Sequence, residues 1–537
     1  MNRIIITVVY LAILAFLGFL GFKHTKNSKD YLIGGRQIHP VIMAFSYGAA
    51  FISTSAIVGF GGAAGVFGLG LLWLTFLTIF VGVFIAFVLL GKRTRKMGHN
   101  LNAHTFPELI SRRFQSVFIQ KFAGSLIFLF MPLYAAAVMI GASMFLEASL
   151  NIDYNAALFS FSILIAIYVF YGGLKGVMYS DAFQGSLMLV GMSILLIWVY
   201  RNLGGISNAH IRLTEMMSNP LVLEQLADEA ANILPGFTGW TSMPEFLSIN
   251  WWYLVSSVIL GVGIGVLAQP QLVVRFMTVK SNRELNRAVP VGGFFILMMT
   301  GVAFIVGALS NVYFFDKYGQ ISVLVAGDSG GIIPLYINHF MPEWFSSFFL
   351  VVIVAAGMST ISSQFHAMGT ALSRDLFNLE GKSEEQKLLL SRVGMLISII
   401  ITIILAYILP QIWSGAIAAS TALFFGICGA SFIPMYVGGL YFKKMPKEAA
   451  EWGMVAGFIT SLFWIVFVHI TESASLRIAD AIFSRPSLAY GSIWAWVDPI
   501  VIALSISILV TILLSFLKKS NLKEEHLDIC FKGIDMK

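Results

Sequence analysis

Charge is scarce in this chain. Of 537 residues, Lys and Arg number 34 and Asp and Glu 27, so 11% are charged, while 58% are hydrophobic and the mean hydropathy is +0.84. That balance describes a polytopic membrane protein rather than a soluble domain. Cysteine is almost missing: Cys428 and Cys530 supply neither a disulfide framework nor a metal-ligand cluster. The nine histidines include no HExxH-like spacing, and His366 alone lies well inside an apolar run, which argues against a membrane-embedded enzyme. The net charge of +7 does not indicate nucleic acid, because the basic residues sit in short loops between apolar runs.

What is present is a succession of bilayer-length apolar runs. They give about thirteen transmembrane helices: 3–22, 41–66, 67–91, 119–146, 156–173, 180–200, 251–274, 288–313, 346–372, 391–409, 413–441, 453–470 and 496–517. The first is followed by Lys23, Lys26 and Lys29 with no cleavage site, and reads as a retained helix. Alternate loops carry Lys92, Arg93, Arg95, Lys96, Arg112 and Arg113, then Lys280, Arg283 and Arg287, then Lys443, Lys444 and Lys447. The positive-inside rule therefore places the chain in the cell membrane as a multi-pass protein, N-terminus outside and C-terminus cytoplasmic.

Three segments carry polar groups where lipid offers no partners. In the first, Tyr31–Gly70, Ser46, Ser53, Thr54 and Ser55 precede Gly59, Gly61, Gly62 and Gly65. Such a run either interrupts a helix beside a protein-lined cavity, as in secondary transporters, or packs tightly against a neighbour. In the second, 348–377, Ser359, Thr360, Ser362, Ser363 and Gln364 lie in an otherwise apolar helix. Hydroxyls beside freed carbonyls would give the oxygen shell of a hard cation, and sodium suits it better than a transition metal. The third holds Asp181, at the cytoplasmic start of its span in YGGLKGVMYSDAFQG. There it is a solvated cap or, if inside the hydrocarbon, a functional residue. GVGIG (261–265) and AQPQLVVRFM (268–277) form a second glycine-weakened, proline-broken helix, with Arg275 expected to anchor it at the cytoplasmic face.

Between spans, TFPELISRRF (105–114) reads as a cytoplasmic interfacial helix capped by Thr105. The 202–250 loop, outside, should hold a short helix near 219–233. The tail after Lys518 is short and charged. No repeat is visible by eye, yet two five-helix units of opposite orientation are allowed by the odd number of spans in each.

YLIGGR (31–36), the interrupted segment after it, YGGLKGVMYSDAFQG, AQPQLVVRFM and AAGMSTISSQ (355–364) together resemble the sodium/solute symporter family, over about residues 3–447. Its sodium/proline and sodium/pantothenate members are the nearer in these motifs, and its sodium/sugar members more distant. The resemblance implies an all-α polytopic protein with a LeuT-like core, a five-plus-five inverted repeat with broken helices. It divides the chain into an N-terminal helix and loop (1–40), a transport core (41–447) and two C-terminal helices with a short tail (448–537). It implies sodium as coupling ion, bound by the backbone carbonyls of Ala49, Ile52 and Ala356 and the hydroxyls of Ser359 and Thr360, with Asp181 on the sodium exit path. Tyr134 matches a substrate-site tyrosine.

Phe51 stands where the proline symporter has an aspartate, Val262 and Val266 where it has aromatics, and Ser55 and Ala56 where sugar members carry a polar pair. The expected substrate site, Ser53, Ser55, Tyr134, Val262, Val266 and Gln269, is therefore small and mostly apolar. It suits a compact carboxylate or amino acid, short monocarboxylates included, better than a hexose, whose hydroxyls would go unpaired. The carboxylate would meet backbone N–H groups at the broken helix. The expectation is a sodium-coupled symporter, not an enzyme, with no organic cofactor. Its partners are a small solute, sodium and the bilayer, with no nucleic acid and no obligate protein partner. The alternatives are a sodium/sugar symporter and a non-transporting, transporter-like solute sensor.

Overall fold

The structure is a computed structural model and describes residues 6–14, 16, 38–171, 174–228, 231, 233–377, 383–413 and 415–534. The YLIGGR loop, Gly172, Gly173 and most of the second half of the first expected span lie outside the described residues. Among the described residues, ten helices are long and apolar enough to cross a bilayer, and Pro40–Phe51 and Tyr154–Val169 are shorter apolar helices beside them. One of the ten, Ser55–Asn100, contains the end of the second expected span and all of the third. The two are separated at Gly68, where φ is +75° and an added Cβ would stand 2.3 Å from the carbonyl oxygen of Trp240, so only glycine fits. Expected spans two to thirteen are all accounted for.

Two helices are interrupted, five spans apart. The first, α1 (Pro40–Phe51), starts with Pro40 at its opening position and stops at Ile52, whose φ of −87° and ψ of 107° leave the helical region. Helix resumes as a π-helical stretch, Ser55–Phe60, and continues as Gly61–Phe67. The break precedes the glycines, and these serve close packing instead. A Cβ on Gly62 would lie 1.8 Å from the carbonyl oxygen of Ser329. The second interruption falls at Gln269, extended at φ −71° and ψ 115° because Pro270 follows.

The 34-residue helix α2 (Val117–Leu150) carries Pro132 within it and backs the first break: Thr54 donates its hydroxyl to the Val138 carbonyl. A third helix, α3 (Leu174–Asn202), runs beside α1. At the centre stands α4 (Glu343–Thr370), buried along most of its length. By contrast Pro499, Ile500, Ala503, Ser507 and Thr511 are the buried residues of the last span, Pro499–Leu517; its remaining leucines and isoleucines make a lipid-facing surface.

Short helices and loops cover both ends of the bundle. At one end, helices Ile206–Glu215 and Pro220–Leu226 precede Trp240, which is buried and donates its indole N–H to the Gly65 carbonyl at 2.8 Å. At the other, the helix Phe106–Phe114 is capped as its sequence predicts: the Glu108 N–H donates to Thr105 Oγ1, and Glu108 accepts from the His104 N–H. The helix Glu524–Phe531 of the charged tail buries Leu527, Cys530 and Phe531 at this end, with the Phe531 ring under Arg113.

Candidate functional site

A helix that stops in mid-membrane leaves its last carbonyls without N–H partners of its own. The Ala49 carbonyl of α1 is in that position. It accepts hydrogen bonds from two adjacent hydroxyls of α4, Ser359 Oγ at 2.8 Å and Thr360 Oγ1 at 3.1 Å. Ser359 also reaches the Ala356 carbonyl at 3.2 Å. Four of the five residues expected to hold sodium thus meet in one contact, though 310 positions separate Ala49 from Ser359. Ile52, the fifth, is the buried residue at the break itself. All the donors are neutral oxygens, the set a hard monovalent cation takes. Among the described residues, no group of His, Cys, Asp and Glu competes as a metal site.

Asp181 is fully buried, so it is neither a solvated residue nor a cap. Its Oδ2 accepts from Ser46 at 2.9 Å and from Arg275 at 3.0 Å. Arg275 does not anchor the second broken helix at the cytoplasmic face. It is 1% exposed, because the extended residue before Pro270 redirects the short helix Pro270–Phe276 into the core. Its guanidinium donates to Ser46 at 3.1 Å, Ser363 at 2.7 Å and the Gln271 carbonyl. Ser363 in turn donates to the Ser359 carbonyl at 3.0 Å. A continuous polar chain therefore joins the Ala49–Ser359 contact to the Asp181–Arg275 pair. Beyond Arg275 and Ser363 opens a small cavity, also lined by His104, His366 and Asp375.

On the other side of the break lies a small cavity, walled in part by Phe51, Ile52 and Ala56. Of the residues expected at the substrate, Ser55, Tyr134 and Val262 line it. Ser53 lies behind Ser55, their hydroxyls 2.7 Å apart. Val266 packs on Gly82, and Gln269 donates to the Gly265 carbonyl of its own helix at 3.2 Å; neither lines the cavity. The rest of the wall was not foreseen: Phe60, Leu74, Thr78, Thr300, Phe304, Thr421 and Phe425. These residues come from four stretches of chain whose composition is ordinary for membrane helices. The ST pair in SGAIAASTALFF was the one available signal for Thr421.

An all-helical membrane protein with two interrupted helices, a cation-type oxygen cluster and a cavity at one break has the architecture of a secondary transporter. The chain belongs to the sodium:solute symporter family, whose profile matches residues 31–457. It is a sodium-coupled solute symporter of that family, a transporter and not an enzyme. Similar proteins include the osmoregulated proline transporter OpuE of Bacillus subtilis (strain 168), 26% identical over 81% of this chain and 83% of its own length. The high-affinity proline transporter PutP of the same organism is 27% identical over 82% and 87%. A sodium/proline symporter of Staphylococcus aureus (strain JH9) is 27% identical over 87% of both chains. In fold, the chain matches a sodium-coupled sialic acid symporter in its substrate-bound outward-open state, with a TM-score of 0.73, 19% identity, and 97% and 99% coverage. The fold is LeuT-like, as the resemblance implied.

Proposed function

We propose that this protein imports a compact amino acid or organic carboxylate with sodium, by alternating access, across the cell membrane. The observation that carries the reading is the Ala49 carbonyl accepting both Ser359 and Thr360 hydroxyls across the break. A sodium ion held by these oxygens and by the Ala356 and Ile52 carbonyls would tie α1 to α4. The solute would occupy the neighbouring cavity against Ser55, Tyr134 and Val262. Sodium would leave towards Asp181 and the cavity beyond Arg275. The core is residues 41–447, with 448–537 accessory, the N-terminus outside and the C-terminus in the cytoplasm.

The energetics allow accumulation. At about 100 mV, inside negative, one charge gains roughly 2.3 kcal/mol. A tenfold sodium gradient adds about 1.4 kcal/mol, and together they support a few-hundred-fold solute gradient per sodium ion. The test is uptake of labelled amino acids and carboxylates into proteoliposomes under an imposed sodium gradient, with potassium in its place as control. Equal uptake in both salts would sink sodium coupling. Binding without uptake would make the protein a sensor.

A further inference from the structure

Three titratable side chains are buried together outside the proposed transport core. His469, Glu472 and Asp498 are 1%, 7% and 5% exposed. His469 and Glu472 follow the span Lys447–Val468, and Asp498 immediately precedes the span Pro499–Leu517, so the cluster lies just beyond the ends of both. Local structure explains the placing. One helix stops at His469, which is extended at φ −70° and ψ 119°, and the next, Ile470–Leu476, brings Glu472 against the imidazole three residues on. Asp498 caps the last span, its Oδ1 accepting from the Ile500 N–H at 2.8 Å.

The imidazole joins two parts of the chain. Its Nδ1–H donates to the Glu472 carboxylate, its Nε2 faces the Ser257 hydroxyl at 3.4 Å, and the Asp498 carboxylate acts on it as well. Ser257 belongs to Tyr253–Leu260, the stretch ahead of the second break, and its neighbour Ser256 accepts from the Asp498 N–H at 3.0 Å. Tyr253 is the titratable group that this stretch turns towards the two carboxylates. Arg477 and Arg485, the nearest basic residues in sequence, are exposed, and among the described residues no lysine or arginine pairs with either acid. Two buried carboxylates without a fixed cation repel each other and are costly. The imidazole between them is the one group there that gains a positive charge near neutral pH.

We infer that His469 is a proton-binding site, and that the bound proton clamps the last two spans onto the second broken helix through Glu472, Asp498 and Ser257. With the proton, the ring donates from both nitrogens, to Glu472 and to Ser257, and its charge balances the acids. Without it, one N–H remains and the two carboxylates lose their cation. Burial pushes the ring's pKa down, but the charge and hydrogen bond of Glu472 and the charge of Asp498 outweigh this and raise it above 6.5. The clamp is therefore complete below that value and is lost as the pH rises through the higher folded one. Val262, which lines the solute cavity, lies further along the same helix, so the clamp sits where it can act on transport.

The experiment needs no solute. Unfolding temperatures of the purified full chain, native, His469→Gln and Asp498→Asn, are measured from about pH 5 to about pH 9. Hydrogen exchange of the segment 464–500 is followed over the same range and corrected for the exchange rate of free amides. The advantage of the native protein over His469→Gln should be largest below about pH 6.5 and shrink as the pH rises. Asp498→Asn keeps the cap but removes a carboxylate from the ring, so its loss of stability should move to lower pH. In the native protein, exchange in 464–500 should quicken about tenfold between pH 6 and pH 9 while that of α4 stays unchanged. A native advantage that is constant or grows with pH overturns the inference. So does exchange in 464–500 that ignores pH. If His469→Gln fails to fold, the exchange of the native protein and the displaced step of Asp498→Asn decide: no quickening, or no displacement, overturns it.

Discussion

Arg275 and Asp181 form an ion pair of 3.0 Å in which the two side chains are 1% and 0% exposed. They come from the second broken helix and from α3, and Ser46 of α1 bonds both. Removing one partner leaves a buried charge without its partner, at a cost of about 3–5 kcal/mol. Arg275→Met should therefore lower the unfolding temperature of the purified protein sharply. The double variant with Asp181→Asn should recover much of the loss. A double variant no more stable than Arg275→Met would show that the pair is not coupled.

The contact of Ala49 with Ser359 and Thr360 predicts sodium dependence. Hydrogen bonds and ligands to a charge contribute about 1.5–3 kcal/mol, so Ser359→Ala or Thr360→Ala should raise the sodium concentration for half-maximal uptake about tenfold or more. Ser362, whose hydroxyl donates to the Ser359 carbonyl on its own helix, should matter less when changed to Ala. Titration of uptake against sodium reads both.

Glu108, in the capped helix Phe106–Phe114 outside the spans, predicts a pH window. Burial pushes its carboxyl up, but the hydrogen bond with His104 and the charges of Arg374, Arg112 and His104 outweigh this and hold it at about 2. A depressed carboxylate contributes stability above its unfolded value, near 4.5, and loses it as pH falls towards 2. At neutral pH the contribution is on the order of 3 kcal/mol. Glu108→Gln should be less stable than the native protein from pH 8 to 5, and the two melting curves should converge below about pH 4.5. A difference that stays constant through that range would contradict the assignment.

Topology is read by cysteine labelling after Cys428 and Cys530 are replaced. Leu223 is 49% exposed in the 202–250 loop, and Ser383 is exposed at the start of the helix Glu384–Ile412. A cysteine at 223 should react with an impermeant reagent in intact cells, and one at 383 only after permeabilisation. Reaction at 383 from outside would reverse the orientation.

The tail gives a prediction of relative size. Lys443 meets Asp528 at 2.8 Å and Glu524 at 3.4 Å, but the carboxylates are about 70% exposed, and such solvated pairs contribute little. Phe531 and Leu527 are buried. Leu527→Ala with Phe531→Ala should free the tail to proteolysis, whereas Lys443→Gln should leave its protection nearly unchanged.

The chain's sequence by itself determined the membrane class, the spans, the cap at Thr105, and the polar groups that meet at the first break. Water-free surroundings make each buried hydroxyl or carboxylate expensive, so Ser359, Thr360 and Asp181 stand out against leucine and valine without any knowledge of their neighbours. Composition could not say what those groups face. Arg275 at the end of an apolar run reads as a surface anchor. Only the turn imposed before Pro270 brings it against a carboxylate 94 residues away. Nor could the sequence single out Thr300, Phe304, Thr421 and Phe425, since threonine and phenylalanine are ordinary on any membrane helix. They become one wall when separate helices converge on the break.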